Sequence, residues 1–213
     1  AKIAAAMEAP YHDMVDYVQS QETAHADESG WPRGNRLKGW MWAMCCKTAA
    51  IFMIHANRTQ EAARILLGQF SGTLNSDRWS GYNIYDHIRQ ICWAHLKRDF
   101  KSISEAKGQL GCIGKELSEL CKTIFIHYHR ARDGTIQWKT FQRRMESYEQ
   151  EVERLLKKGS TYEGPLAGKC REILKHRQHL WTFVRDPQVE PTNNAAEQIV
   201  RQAVLWCKMS FGT

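Results

Sequence analysis

Residues 39–55 read G-W-M-W-A-M-C-C-K-T-A-A-I-F-M-I-H, and their polar breaks before the terminal His are Lys47 and Thr48. A stretch this apolar has to be buried, and it is much longer than the five or six residues typical of one strand. Two buried strands turning near Lys47 or Thr48 satisfy it, and a buried helix is the alternative. Shorter signals surround it. Residues 1–21 are helical and amphipathic in pattern, with Met14, Val15 and Val18 as the inward positions. Thr23 to Asp27 is a short strand, and Gly30 to Gly39, with a Pro and two Gly, is a turn. Thr59 to Leu67 repeats as a helix with Ala62, Ala63, Leu66 and Leu67 inward. Gly72 to Asp77 and Arg89 to Trp93 complete the strands.

The pattern changes after Ala94. Leu110, Ile113, Leu117, Leu120, Cys121, Ile124 and Tyr128 mark one helix, and Trp138, Phe141, Met145, Tyr148, Val152 and Leu155 step by three and four in a second. Gly159 suits the end of that helix, and Pro165 the first turn of the next. The expected segments are a helical 1–21, a first α/β part at 22–100, a helical block at 101–185 and a final part at 186–213. The abrupt ends suggest a piece of a longer chain. No stretch of about 18 apolar residues offers a membrane span. The seven Cys form no C-x-x-C pair, which points to reduced thiols in a cytoplasm. A net charge of +7 favours a polyanionic partner.

Residues 189–211 read V-E-P-T-N-N-A-A-E-Q-I-V-R-Q-A-V-L-W-C-K-M-S-F. Pro191 holds the residue before it extended, and Asn193 or Asn194 stands where a helix takes its N-cap. Ala196, Val200, Ala203, Val204 and Cys207 then form an apolar stripe. Asn193, Glu197 and Arg201, spaced four apart, share a different face. Glu197 is either one half of an exposed Glu–Arg pair or a carboxylate that ligates a metal, with Arg201 meeting a phosphate.

Asp27 and Asp77 each end a strand, 50 residues apart, and Glu197 follows 120 residues later in a helix. Carboxylates gathered at one point do not all ionise without a cation between them. Oxygen donors with room for water suit Mg²⁺ or Mn²⁺, and paired ions of that kind support in-line phosphoryl transfer. The spacing alone is a weak signal, because 23 acids offer many such triples.

Four segments make the pattern specific: H-A-D-E-S-G-W around Asp27, L-L-G-Q-F-S-G-T-L-N-S-D-R-W-S-G-Y around Asp77, C-W-A-H-L-K-R-D-F from Cys92, and E-P-T-N-N-A-A-E-Q-I-V-R from Glu190. In this order, with the tail V-L-W-C-K-M-S-F-G-T, they resemble the catalytic domain of the insertion sequence 66 family of bacterial DDE transposases. The resemblance implies an α/β, RNase H-like core with a large helical insertion between the second Asp and the Glu. It implies that Asp27, Asp77 and Glu197 are a catalytic triad holding two Mg²⁺ or Mn²⁺ ions. The activity implied is metal-dependent DNA cleavage and strand transfer in transposition, by a homo-oligomer acting on transposon ends and target DNA in the bacterial cytoplasm, associated with the nucleoid. An inactive remnant that binds DNA without cutting it is the alternative.

Arg201, Asn193, His95 and Arg98 are the expected DNA contacts. His95 is also readable as a hydrogen-bonded core residue. Trp79 and Tyr82 either stack on an unpaired base or pack in the core. Glu28, one residue past Asp27, points to the opposite side of a continuing strand and is not a ligand. Lys139, Arg143, Arg144, Arg154, Lys157 and Lys158 lie off the helical seam, as a solvated face or a surface tracking a nucleic-acid backbone.

Overall fold

The computed structural model describes residues 2–33 and 37–211. In chain order it runs α1 (Lys2–Gln19), β1 (Thr23–Arg33), β2 (Leu37–Cys45), β3 (Ala50–His55), α2 (Gln60–Leu67), β4 (Thr73–Ser76), β5 (Arg89–Ile91), α3 (Trp93–Ser104), α4 (Gly108–Arg132), α5 (Trp138–Ser160), α6 (Pro165–Lys175), α7 (Thr182–Arg185) and α8 (Asn194–Phe211). Two compact units emerge: Ala1–Ile91 with Thr192–Thr213, and Cys92–Pro191. Among the described residues, no helix is long and apolar enough to cross a membrane.

The first unit is a mixed α/β structure on a five-stranded sheet of order β3-β2-β1-β4-β5. The long apolar stretch is a hairpin, closed where the Cys46 N–H donates to the Ala49 carbonyl at 2.9 Å. It lacks polar–apolar alternation because β2 is covered on both faces. Trp42 and Met44 pack with Ala24 and Ala26 of β1 and with Ala62, Ala63, Leu66 and Leu67 of α2. Met41 and Ala43 face the other way, onto Val200 and Ala203 of α8. Thr59 caps α2, its hydroxyl accepting the Ala62 N–H at 3.3 Å.

Two expectations change here. Gly30 to Pro32, read as turn, continue β1, with Gly30 opposite Trp40 and Pro32 opposite Lys38. Pairing with β2 overrides a local sequence poor in strand formers; positions 34–36 of the expected turn lie outside the described residues. On α1, Val18 is buried and Val15 half-buried, but Met14 is exposed. Polar anchors hold this helix instead: the Tyr11 hydroxyl donates to the Phe52 carbonyl at 3.0 Å, and Gln19 Nε2 to the Leu66 carbonyl at 3.2 Å.

The second unit is helical. Trp93, expected at a strand end, opens α3 because its indole is enclosed by Trp181 and Phe183, with ring centroids 5.0 and 5.9 Å away. Its Nε1 donates to the Leu180 carbonyl at 2.6 Å. Gly159 does not end α5, which runs on to Ser160. It lies where a Cβ would come within 2.7 Å of Cys170 Sγ, so it is needed for the packing of α6. Gly114 does the same for α4, where an added Cβ would collide with the backbone N of Ser104 on α3. That neighbour is rigid, so Gly114→Ala is expected to destabilise the second unit by about 2 kcal/mol or more, measured by urea denaturation. Unchanged stability would show that the α3–α4 contact yields freely.

Candidate active site

β1 and β4 pair in parallel, Thr23 with Thr73, Ala24 with Leu74 and His25 with Asn75. Each pair is 50 positions apart, the same interval that separates Asp27 from Asp77. Asp27, expected to end its strand but lying within β1 because pairing with β2 continues to Arg33, and Asp77, the residue after β4, therefore sit at one level on chains whose normal separation is about 4.8 Å. Side-chain alternation sorts the two acids of β1. Asp27 pairs with Ala43, which packs toward α8, and Glu28 pairs with Trp42 on the α2 side. Glu197 stands in the first turn of α8.

Asp27 senses the charges of the other two acids. The Asp27 carboxyl is pushed up to about 7, first by burial, then by the charges of Glu28, Asp77 and Glu197, with a hydrogen bond from the Glu28 backbone opposing. Both other expected members of the triad are thus within electrostatic reach of Asp27.

Asp77 is held from several sides. Its Oδ1 accepts the Trp79 N–H at 2.8 Å, and its carbonyl accepts from Ser76 Oγ at 3.0 Å and from Arg89 at 3.2 Å. Arg89 lies on β5, buried, and also donates to Ser76 Oγ and Asn83 Oδ1, each at 3.1 Å. Burial lowers its proton affinity and the nearby Asp77 charge opposes that. Beyond Asp77, Trp79 packs on Trp42 at 5.5 Å and Tyr82 is fully buried, so both serve the core. Beneath β1, Glu28 accepts from the Tyr82 hydroxyl at 2.6 Å and from Arg58 Nε at 2.7 Å. Arg58 in turn lies over the rings of Trp79 and Trp40, at 4.6 and 5.2 Å. Burial raises the Glu28 proton affinity, while the Tyr82 and Arg58 hydrogen bonds lower it.

The start of α8 is tied to the same strands. Asn75 Nδ2 donates to the Thr192 carbonyl at 3.1 Å, and Asn193 Nδ2 to the Ala26 carbonyl at 2.8 Å. Asn193 Oδ1 lies 3.2 Å from His25 Nδ1. The Asn193 carbonyl accepts the Glu197 N–H at 3.1 Å, which makes Asn193 the boundary residue of the helix. Its side chain is 0% exposed and its amide is used on β1. Asn193 is therefore not placed for the expected DNA contact: it is fully buried, and its side chain ties the start of α8 to β1. Arg201 is exposed on α8, whereas His95 is half-buried and Arg98 exposed on α3 of the second unit. Asn193→Ala, which strands a buried carbonyl, is expected to cost about 2 kcal/mol. Thermal denaturation checks this, and an unchanged melting temperature would show that the tie to Ala26 is dispensable.

The supporting residues His25, Asn75, Arg58 and Arg89 were not singled out from the sequence. Two of them carried a usable signal. His25 and Asn75 each precede a candidate acid by two positions, which places them on the same strand face.

Fold and site together define an α/β protein in which Asp27 of β1 and Asp77 just after β4 lie at one level on paired parallel strands, with Glu197 within electrostatic reach of Asp27. Over residues 1–212 the chain matches the family described as Transposase IS66 family, and it belongs to that family. No similarity to a curated protein or to a solved structure was found.

Proposed function

We propose that the first unit is an RNase H-like catalytic core, that residues 92–191 are its helical insertion, and that the chain cleaves DNA at transposon ends and joins them to target DNA. The placement of Asp27, Asp77 and Glu197 carries this reading: the first two lie at one level on paired strands, and Asp77 and Glu197 are both within electrostatic reach of Asp27. Burial first, and then the charges of Glu28, Asp77 and Glu197, raise the proton affinity of Asp27, so an ionised carboxylate there favours a neighbouring cation. The donors are all hard oxygens, which fits Mg²⁺ or Mn²⁺. Asp27, Asp77 and Glu197 would hold two such ions, which when bound neutralise the scissile phosphate and activate the attacking oxygen.

The remaining roles belong to the chain's own groups. Asp27 must give up its proton to serve as a ligand. Arg89 and the Trp79 N–H fix the loop that presents Asp77, and Asn193 fixes the turn that presents Glu197. Arg201, one exposed turn further on, holds a phosphate oxygen by charge-assisted hydrogen bonds. Arg98 and His95 are assigned further phosphate contacts. The working species is a homo-oligomer on DNA.

Incubation of the chain with duplex DNA and Mg²⁺ tests this reading, with nicked product expected. Cleavage confined to an RNA–DNA hybrid would instead indicate a ribonuclease. Retained DNA binding without any cleavage would indicate an inactive remnant. Arg201→Ala is expected to slow nicking and lower the salt slope of DNA binding by about 1, at little cost in stability. Nicking at the wild-type rate would show that this face of α8 does not meet DNA.

A further inference from the structure

α3 and α4 form a helical hairpin joined by three residues. Gly111 and Gly114 bring the helices together near that joint, where a Cβ on either would strike the backbone of Ala106 or Ser104. Away from the joint, a groove of about 440 Å³ lies between them. Lys97, Arg98 and Lys101 of α3 and Lys115 and Lys122 of α4 line it, with Glu119 as the single carboxylate among its described lining residues. All five cations are exposed. Lys122 pairs with Glu119 at 2.7 Å. Among the described residues, no ion pair engages Lys97, Arg98, Lys101 or Lys115.

Two cations of α5 differ. Arg154 pairs with Glu151 and Lys157 with Glu153, each at 2.7 Å, so the charge of these two is neutralised locally. The groove keeps its charge, and keeps it in a line. Lys97 and Lys101 are one helical turn apart, and Lys115 and Lys122 are about 10 Å apart along their axis. Cations spread along two walls suit a linear polyanion better than one small anion. The aliphatic stems line the floor while the charged heads reach outward.

We infer that the α3–α4 groove is a binding surface for the sugar–phosphate backbone of duplex DNA, separate in sequence from the triad. It rests on the reading of this chain as a DNA-acting transposase and adds a second contact region to it. Recognition is by charge alone, so binding is insensitive to sequence and strongly dependent on salt.

The test is fluorescence anisotropy with a short duplex of mixed sequence over a KCl series, using wild type, Lys101→Gln with Lys115→Gln, and Arg154→Gln with Lys157→Gln. The groove variant should lose about 2 from the salt slope, near 0.9 for each phosphate contact removed. The α5 variant should retain the wild-type slope. As a measurement on the unaltered chain, duplex DNA should slow the labelling of Cys112, an exposed thiol one turn before Lys115. An unchanged slope in the groove variant, or Cys112 labelled equally fast with and without DNA, overturns the inference. Mg²⁺-dependent nicking separates the two claims. Nicking with an unchanged slope removes the groove and spares the transposase reading. A groove-dependent slope without nicking does the reverse, and no DNA binding by wild type removes both.

Discussion

Asp27→Asn is expected to abolish Mg²⁺-dependent nicking and, in metal-free buffer at pH 8, to make the protein more stable than wild type. The two effects share one cause. The Asp27 carboxyl is held at about 7 in the folded chain against an ordinary 3.8. The folded state therefore binds a proton between those values that the unfolded chain has already released. The stability this confers is complete below about pH 4 and is lost as pH rises through 7. Above pH 7 the fold carries the whole cost of an ionised, buried carboxylate, about 4 kcal/mol. Asn removes both the titration and the cost. The melting temperature of wild type should thus fall between pH 4 and 7 relative to the variant, and the order of stability should reverse on adding Mg²⁺. If the variant is the less stable at pH 8 in chelator, Asp27 is not under the strain assigned to it.

Arg89→Met should cost about 3 kcal/mol and reduce nicking as well. A buried guanidinium that donates to Asn83, Ser76 and the Asp77 carbonyl is a node of the site. Its removal leaves three acceptors short of a donor, and the lost charge-assisted bonds outweigh the gain from burying a thioether. Arg89→Lys keeps the charge but lacks the planar fork, so it should recover part of the stability and less of the cleavage. A melting temperature for Arg89→Met within a degree or two of wild type would mean that Arg89 merely fills space.

The acids were legible because their signal is local. Asp77 directly follows the short strand β4 and Glu197 follows an Asn pair at a helix start, whereas Asp27, expected to end its strand, is the fifth of the eleven residues of β1. The 50-residue interval becomes meaningful only once β1 and β4 are known to pair in parallel with that same offset. The hairpin at 39–55 was legible because burial on both faces leaves a continuous apolar stretch. The extension of β1 through Gly30 and Pro32 was not, because cross-strand pairing decided it against local propensity. The supports of the site were hidden for a related reason. Arg58 and Asn193 work through contacts made far along the chain, and Arg89 through a turn that folds back on it, while in the sequence each resembles an ordinary surface or capping residue. Asn193 shows this most clearly, since its amide is spent on Ala26, 167 residues away.

The central claim is that Asp27, Asp77 and Glu197 form one divalent-cation site. Titration of Mn²⁺, followed by electron paramagnetic resonance at pH 8, measures this without requiring DNA or turnover. Wild type should bind Mn²⁺ and release it to excess Mg²⁺, and Asp27→Asn, Asp77→Asn and Glu197→Gln should each lose most of that binding while remaining folded. Equal Mn²⁺ binding by wild type and all three variants, or no binding by wild type, would contradict the claim.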